Sequence, residues 1–301
     1  MDQTTPIPRR RLGKTDLAVS SVGFGAGEIG YEKTPVETVA RILGAALDRG
    51  VNLIDSAECY LISEELLGAA ISRRRGEFHL MTKCGHNADL PFDDWEPALI
   101  PRSIERSLRR LRTDYVDVVH LHSCSLEALR QGDLIAALQK ARDAGKTRYI
   151  GYSGDGDAAL WAISSGAFDT LMVSVNVADQ AAIDKVLPAA ATAGIGVIAK
   201  RSIANGIWAK RAQNPYWQTY RARCRELDYD FFRDMSPRAI ETALRFTLST
   251  AVDTALVGST DAAHFLEAIE VASRGALAPA EFNSIRERWN AVARADWVGQ
   301  S

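Results

Sequence analysis

Short apolar runs rich in Val and Ile alternate with stretches of helical period along nearly the whole chain, and this alternation limits the fold more than any single residue does. The runs cover residues 22–26, 51–56, 78–85, 116–122, 148–153, 170–176, 196–200 and 254–258. Helical stretches follow nearly all of them, at 36–48, 63–74, 102–112, 134–143, 158–165, 181–193, 237–250 and 262–272. Several end at a glycine, as at Gly50, Gly145, Gly166 and Gly194, which suits a left-handed C-cap. Ser236 and Pro237 form a matching start, a capping serine followed by proline at the first helical position. Eight strand–helix units in 301 residues predict an α/β chain folded as a (β/α)8 TIM barrel. Residues 11–19 read as an N-terminal β-hairpin around Gly13 and Lys14, plugging the barrel bottom, and 279–294 as an extra C-terminal helix. No low-complexity or Gly/Ser linker interrupts the chain, so residues 1–301 are expected to form a single domain. The insertion 205–235, rich in Arg, Trp and Tyr, reads equally as a lid loop or as a packed surface excursion.

Composition narrows the function. With 36 basic residues against 38 acidic ones, the chain has no large basic surface for nucleic acid or anionic membrane, and neither partner is expected. No apolar run approaches the roughly 18 residues of a membrane span, and MDQTTPIPRRR lacks the apolar core of a signal peptide. Cys59, Cys84, Cys124 and Cys224 are too sparse for a disulfide scaffold. A cytoplasmic, reduced protein is expected. The basic runs 9–11 and 73–75 read as solvated surface and as a helix C-terminus favoured by its dipole, needing no partner.

One motif points elsewhere. Gly25-Ala26-Gly27-Glu28-Ile29-Gly30 matches G-x-G-x-x-G directly after a strand, with Asp55 ending the next strand. A dinucleotide fingerprint needs its helix to begin inside the glycine run, so that the N-terminus faces the pyrophosphate. Here the helical period starts only around Pro35 and Val36, and Asp55 lies beyond the roughly 20 residues the fingerprint expects. The barrel reading is preferred.

In such a barrel, function sits at the C-terminal strand ends. Those positions are Asp55, Lys83, His122, Ser153, Asn176, Lys200 and the Gly258-Ser259 pair, with Tyr60 on the loop beyond Asp55. A tyrosine hydroxyl has an unperturbed pKa near ~10, too high for efficient proton traffic at neutral pH. A lysine ammonium beside it favours the phenolate, and a carboxylate holds that lysine charged and oriented. A histidine on the adjoining strand can hydrogen-bond a carbonyl oxygen. Proton donation to a carbonyl, coupled to hydride delivery, is the reaction this set serves. His120 points to the same barrel side as His122 and reads either as a second pocket group or as a core histidine.

NLIDSAECYLISEELLG (52–68) resembles the aldo-keto reductase signature in which Asp, then Tyr, precede S-E-x-L-L-G. MTKCG (81–85) is similar to that family's lysine strand and YVDVVHLHS (115–123) to its histidine strand. GKTRYIGYSG (145–154), GIGVIAKRSIANG (194–206) and ALVGSTDAAHFLEAIE (255–270) continue the likeness over residues 11–272. The resemblance implies a nicotinamide cofactor across the barrel mouth and reduction of a small-molecule aldehyde or ketone. By position it implies Tyr60 as proton donor, Lys83 and Asp55 as its tuning pair and His122 as the carbonyl-orienting residue. It also implies cofactor contacts at Gly25, Ala26, Asp55, Ser153, Gly154, Met172, Lys200, Arg201, Ser202, Ile203, Gly258, Ser259, Thr260, His264 and Glu267, with NADP(H) favoured over NAD(H).

The cofactor side departs from the family pattern. The expected Ser-Asn pair reads Ser153-Gly154, a strand-six glutamine is Met172, the nicotinamide-stacking residue is Lys200, the 2′-phosphate arginine is His264 and the closing asparagine is Ala268. Each lost hydrogen bond typically costs about 0.5–1.5 kcal/mol, so several together would weaken binding by roughly two decades unless compensated. A barrel that kept its acid–base set but lost redox, acting as a nucleotide-binding or regulatory module, is the alternative. Cys59, Cys84 and Cys124 fall near the mouth with His86, His120 and His122, but no C-x2-C spacing is present. They read as small apolar cysteines packed beside the site, with no metal expected. Trp95, Trp208, Tyr216 and Trp217 read either as an apolar substrate wall or as core aromatics.

Overall fold

Parallel strands must be bridged by long crossovers, and helices between them close the sheet on itself only if every strand finds two neighbours. The computed structural model describes residues 7–207, 215–233 and 237–300. Ten strands occur among them: β1 (Arg9–Arg11), β2 (Ala18–Ser20), β3 (Val22–Gly25), β4 (Leu53–Asp55), β5 (His79–Cys84), β6 (Val116–His122), β7 (Thr147–Ser153), β8 (Thr170–Ser174), β9 (Gly196–Lys200) and β10 (Thr254–Val257). Strands β3 to β10 pair in chain order, all parallel, and β10 returns to β3 to close an eight-stranded barrel. Gly50, Gly145, Gly166 and Gly194 all have positive φ, as left-handed C-caps require. Ser236 lies outside the described residues.

Side-chain alternation sorts the apolar residues into two layers. Leu53, Met81, Val118, Met172, Ile198 and Leu256 fill the interior, and Leu12, Leu17 and Val19 of the β1–β2 segment join them from below. The hairpin therefore closes the barrel bottom, with Lys14 N donating to Gly194 O at 2.8 Å. The opposite strand faces pack against the helices, and Cys84 and Cys124 belong to that outer core. Helix Pro279–Val292 follows the barrel and packs with helix Pro215–Leu227, which lies inside the 205–235 insertion. Residues 208–214 and 234–236, Trp208 among them, lie outside the described set, as does the Tyr216 side chain.

Two sequence expectations need correction. A short helix, Gly27–Tyr31, begins inside the glycine run, where the periodicity placed none before residue 35. Gly30 is glycine because an added Cβ would come 2.1 Å from Tyr60 O, so this helix buttresses the Tyr60 loop. The run 73–75 is also not a helix C-terminus held only by its dipole: Arg75 Nη2 lies 2.7 Å from the buried Asp117 Oδ2, with only 15% of the arginine side chain exposed. The 63–74 helix stops at Ile71 and tightens into a 3₁₀ turn over Ser72–Glu77, which turns Arg75 inward.

Candidate active site

The register of β4, β5, β6 and β7 fixes one wall of the mouth. Met81 pairs with Asp55, Lys83 with His120, and His122 with Ser153. Lys83 is buried, with Nζ donating at 2.6 Å to Asp55 Oδ2 and at 2.6 Å to Ser56 O. Burial alone would lower its pKa; the Asp55 carboxylate and the Tyr60 phenol outweigh that and hold the ammonium above the usual lysine range. Its Nζ lies 4.7 Å from the centroid of the half-buried Tyr60 ring. Gly27 lies alongside the ring, where an added Cβ would sit 3.5 Å away in ordinary van der Waals contact. Tyr60 meets His122 edge-on with ring centroids 5.8 Å apart. Burial and the Lys83 charge push the His122 pKa well below its ordinary value, so the imidazole is neutral at pH 7. Asp55, Tyr60, Lys83 and His122 thus converge, as the sequence predicted.

His120 settles as a core histidine. It is fully buried, Nε2 lies 3.1 Å from Thr170 Oγ1, and burial takes its pKa down to about 3. Trp95 approaches the site instead: its Nε1 donates to His122 O at 3.0 Å, and its ring lies 4.9 Å from that of His86. Gly85 makes this possible, because with φ +132° an added Cβ would come 2.9 Å from the indole.

The opposite wall is built differently. Lys200 Nζ pairs with Asp155 Oδ2 at 3.0 Å, and only 12% of the lysine side chain is exposed. Asp155 is fixed by Ser174, whose amide donates at 2.7 Å and whose hydroxyl donates at 3.2 Å. Arg201 Nη1 donates to Ser174 Oγ at 2.8 Å and to the backbone carbonyl of Gln300. The C-terminal tail therefore reaches the mouth, and Arg223 holds it there through Val298 O at 2.7 Å. Nothing in the sequence signals this tail or Asp155, because neither carries periodicity or a motif. Gly154 has a local reason: a Cβ would come 2.3 Å from Tyr152 Oη, which donates to Cys124 O at 2.8 Å. Met172 is 1% exposed and belongs to the interior apolar cluster. Ser202 Oγ is committed to Leu256 O at 2.6 Å, and Ile203 is half-buried.

A nicotinamide dinucleotide needs bare backbone for close approach and positive groups for its phosphates. The residues here fit both needs. An added Cβ at Gly258 would come 2.9 Å from Gly25 O, so the backbone must be bare at Gly258. Ser259 and Thr260 lead directly into helix Ala262–Ser273, whose N-terminus favours anions. Asp261 caps it, accepting from Ala263 N at 2.7 Å, while His264 is exposed and Glu267 half-buried in its first turns.

Residues 21–290 match the aldo/keto reductase family model. The chain belongs to the aldo/keto reductase family. It is 33% identical over 228 residues to L-galactose dehydrogenase of Arabidopsis thaliana, covering 71% of this chain and 70% of that protein. It is 28% identical over 226 residues to D-threo-aldose 1-dehydrogenase of a Pseudomonas species, covering 64% of this chain and 69% of that one. A holo-form aldo-keto reductase structure from Bacillus halodurans shares the fold with a TM-score of 0.79 at 24% identity, covering 97% of this chain and 99% of that one. The chain is an NAD(P)H-dependent oxidoreductase that reduces small-molecule carbonyl compounds. Among the described residues, no helix is long and apolar enough to cross a membrane.

Proposed function

We propose that Tyr60 gives the proton to the carbonyl oxygen, that Lys83 and Asp55 make it a competent acid, and that His122 orients that oxygen. The Lys83 ammonium carries this reading, clamped by Asp55 and Ser56 at 2.6 Å each and 4.7 Å from the Tyr60 ring centre. The cofactor, when bound, supplies the hydride to the carbonyl carbon. As the oxygen gains negative charge, the Tyr60 hydroxyl transfers its proton, and the neighbouring ammonium stabilises the phenolate left behind. Neutral His122 has an N–H to offer the same oxygen without competing as an acid. Half-buried Trp95, standing on His122, forms an apolar side to the pocket.

The contacts proposed for the cofactor are Gly25, Ala26, Asp55, Ser153, Gly154, Met172, Lys200, Arg201, Ser202, Ile203, Gly258, Ser259, Thr260, His264 and Glu267, with NADPH preferred. An exposed histidine beside a helix N-terminus supports that preference. The test is Tyr60→Phe. Turnover of an aldehyde panel should fall by roughly 10²–10⁴-fold while NADPH affinity stays within error. Undiminished turnover would remove Tyr60 from the chemistry.

A further inference from the structure

Of the six cysteine and histidine candidates near the mouth, the barrel separates three from the rest. Cys84 and Cys124 point into the outer core, and His120 is bonded to Thr170 inside the barrel. Cys59, His86 and His122 face one another, with one ligand atom from each lying within 4.8 Å of the others. They come from three separate loops or strand ends, so no sequence spacing announces them. Cys59 Sγ lies 3.5 Å from His122 Nδ1. A tetrahedral zinc ion sits about 2.3 Å from sulfur and about 2.0–2.1 Å from nitrogen, which makes the sulfur–nitrogen edge about 3.5 Å. The pair already stands at ligand spacing.

The surroundings complete the pattern. His86 Nδ1 lies 2.8 Å from Asp94 Oδ2, and Asp94 Oδ1 also accepts from Asn87 N at 2.8 Å. A carboxylate on one imidazole nitrogen fixes the tautomer and leaves the other nitrogen, here Nε2, as the ligand. Trp95 packs on the His86 ring and bonds the His122 carbonyl, so both imidazoles are held from behind. Glu58 precedes Cys59, accepts from His86 N at 2.9 Å through Oε1, and keeps Oε2 buried without a hydrogen-bond partner. All three ligands are partly exposed, so an ion can enter and a water can fill the fourth position.

We propose that Cys59, His86 and His122 form a three-ligand site for a divalent ion of zinc-like softness. The thiol of Cys59 gives its proton to solvent as the sulfur–metal bond forms, and both imidazoles bind neutral. The bound ion draws His122 away from the carbonyl oxygen and arrests reduction. This last consequence rests on the role proposed above for His122, whereas binding itself does not.

The test is cobalt(II) titration of the full chain after chelator treatment, read by absorbance, followed by zinc displacement. One equivalent of cobalt per chain should give intense tetrahedral visible bands and a thiolate-to-metal charge-transfer band, both lost on adding one equivalent of zinc. Cys59→Ser should abolish the charge-transfer band, and His86→Ala should weaken binding by at least about tenfold. Asp94→Asn, on an exposed loop where folding is not at stake, should weaken it by roughly 10–100-fold. Absence of bands, or bands unchanged in Cys59→Ser and Asp94→Asn, would overturn the site. Binding without inhibition of carbonyl reduction would overturn the regulatory consequence alone.

Discussion

The two walls of the barrel mouth solve the same problem, holding a buried lysine, in opposite ways. On the acid–base wall, Lys83 is clamped by the neighbouring strand end, by Asp55 Oδ2 and Ser56 O, and its charge is directed at Tyr60. On the cofactor wall, Lys200 is paired with Asp155, which is itself fixed by Ser174, while Arg201 is engaged by Ser174 and the Gln300 carbonyl. The first charge is left facing a reacting group. The second is neutralised by residues that no other part of the pattern requires. A buried cation left unpaired costs several kcal/mol, so a lysine at the stacking position obliges a carboxylate nearby. Asp155 meets that obligation.

The comparison breaks most visibly on the acid–base side. Lys83→Met should lower turnover about as severely as Tyr60→Phe, because the tyrosine then loses its tuning charge. It should also destabilise the fold by about 3–5 kcal/mol, since Asp55 is left buried without its cation, and denaturant unfolding reads that loss separately. Tyr60→Phe should leave stability nearly untouched, so the pair of variants separates tuning from architecture.

On the other wall, Asp155→Asn should reverse the balance. We expect a loss of about 3 kcal/mol in unfolding free energy, from the stranded Lys200, with little change in turnover at saturating cofactor. A collapse of turnover there would mean that the two walls are not separable. Gly154→Ala sharpens the point further. Its Cβ would press on the Tyr152 ring, and a cost of about 1–3 kcal/mol should appear in thermal or denaturant unfolding.

The smallest effect concerns the scaffold below both walls. Asp117 is buried, yet His79 beside it, Arg75 at 2.7 Å and the Leu80 amide at 2.8 Å outweigh that burial and hold its carboxyl well below the usual carboxylate range. Its folded pKa is depressed, so its contribution to stability is complete above the ordinary aspartate value near ~3.9 and fades as the pH falls through the lower folded one. Asp117→Asn should therefore lose stability at neutral pH and show a flatter stability–pH curve in the acid range.

The acid–base wall was legible in the sequence because each of its residues lies at or just beyond the C-terminal end of a short apolar run, where strand alternation dictates direction. Asp55, Lys83 and His122 needed only the register of three neighbouring strands to meet. The hairpin plug was legible too, since Leu12, Leu17 and Val19 alternate around a glycine turn. The cofactor wall was not, for two physical reasons. Asp155 and Gln300 act through contacts between segments far apart in the chain, and such contacts leave no periodic trace. Gly154 reads as a lost amide until the Tyr152 ring is seen in the space its Cβ would take. The helix Gly27–Tyr31 was missed because five residues are too few to show a period. Cys59, His86 and His122 lacked any shared spacing, so their convergence became visible only once three loops were placed together.

The account stands or falls on whether the rebuilt wall still takes its cofactor. Tryptophan-fluorescence titrations of the unmodified chain and of Tyr60→Phe, with NADPH and NADH in parallel, test this directly. Saturable quenching in the micromolar range, tighter for NADPH and equal in the two proteins, is the predicted result. No saturable quenching by either cofactor up to millimolar concentration would contradict the account.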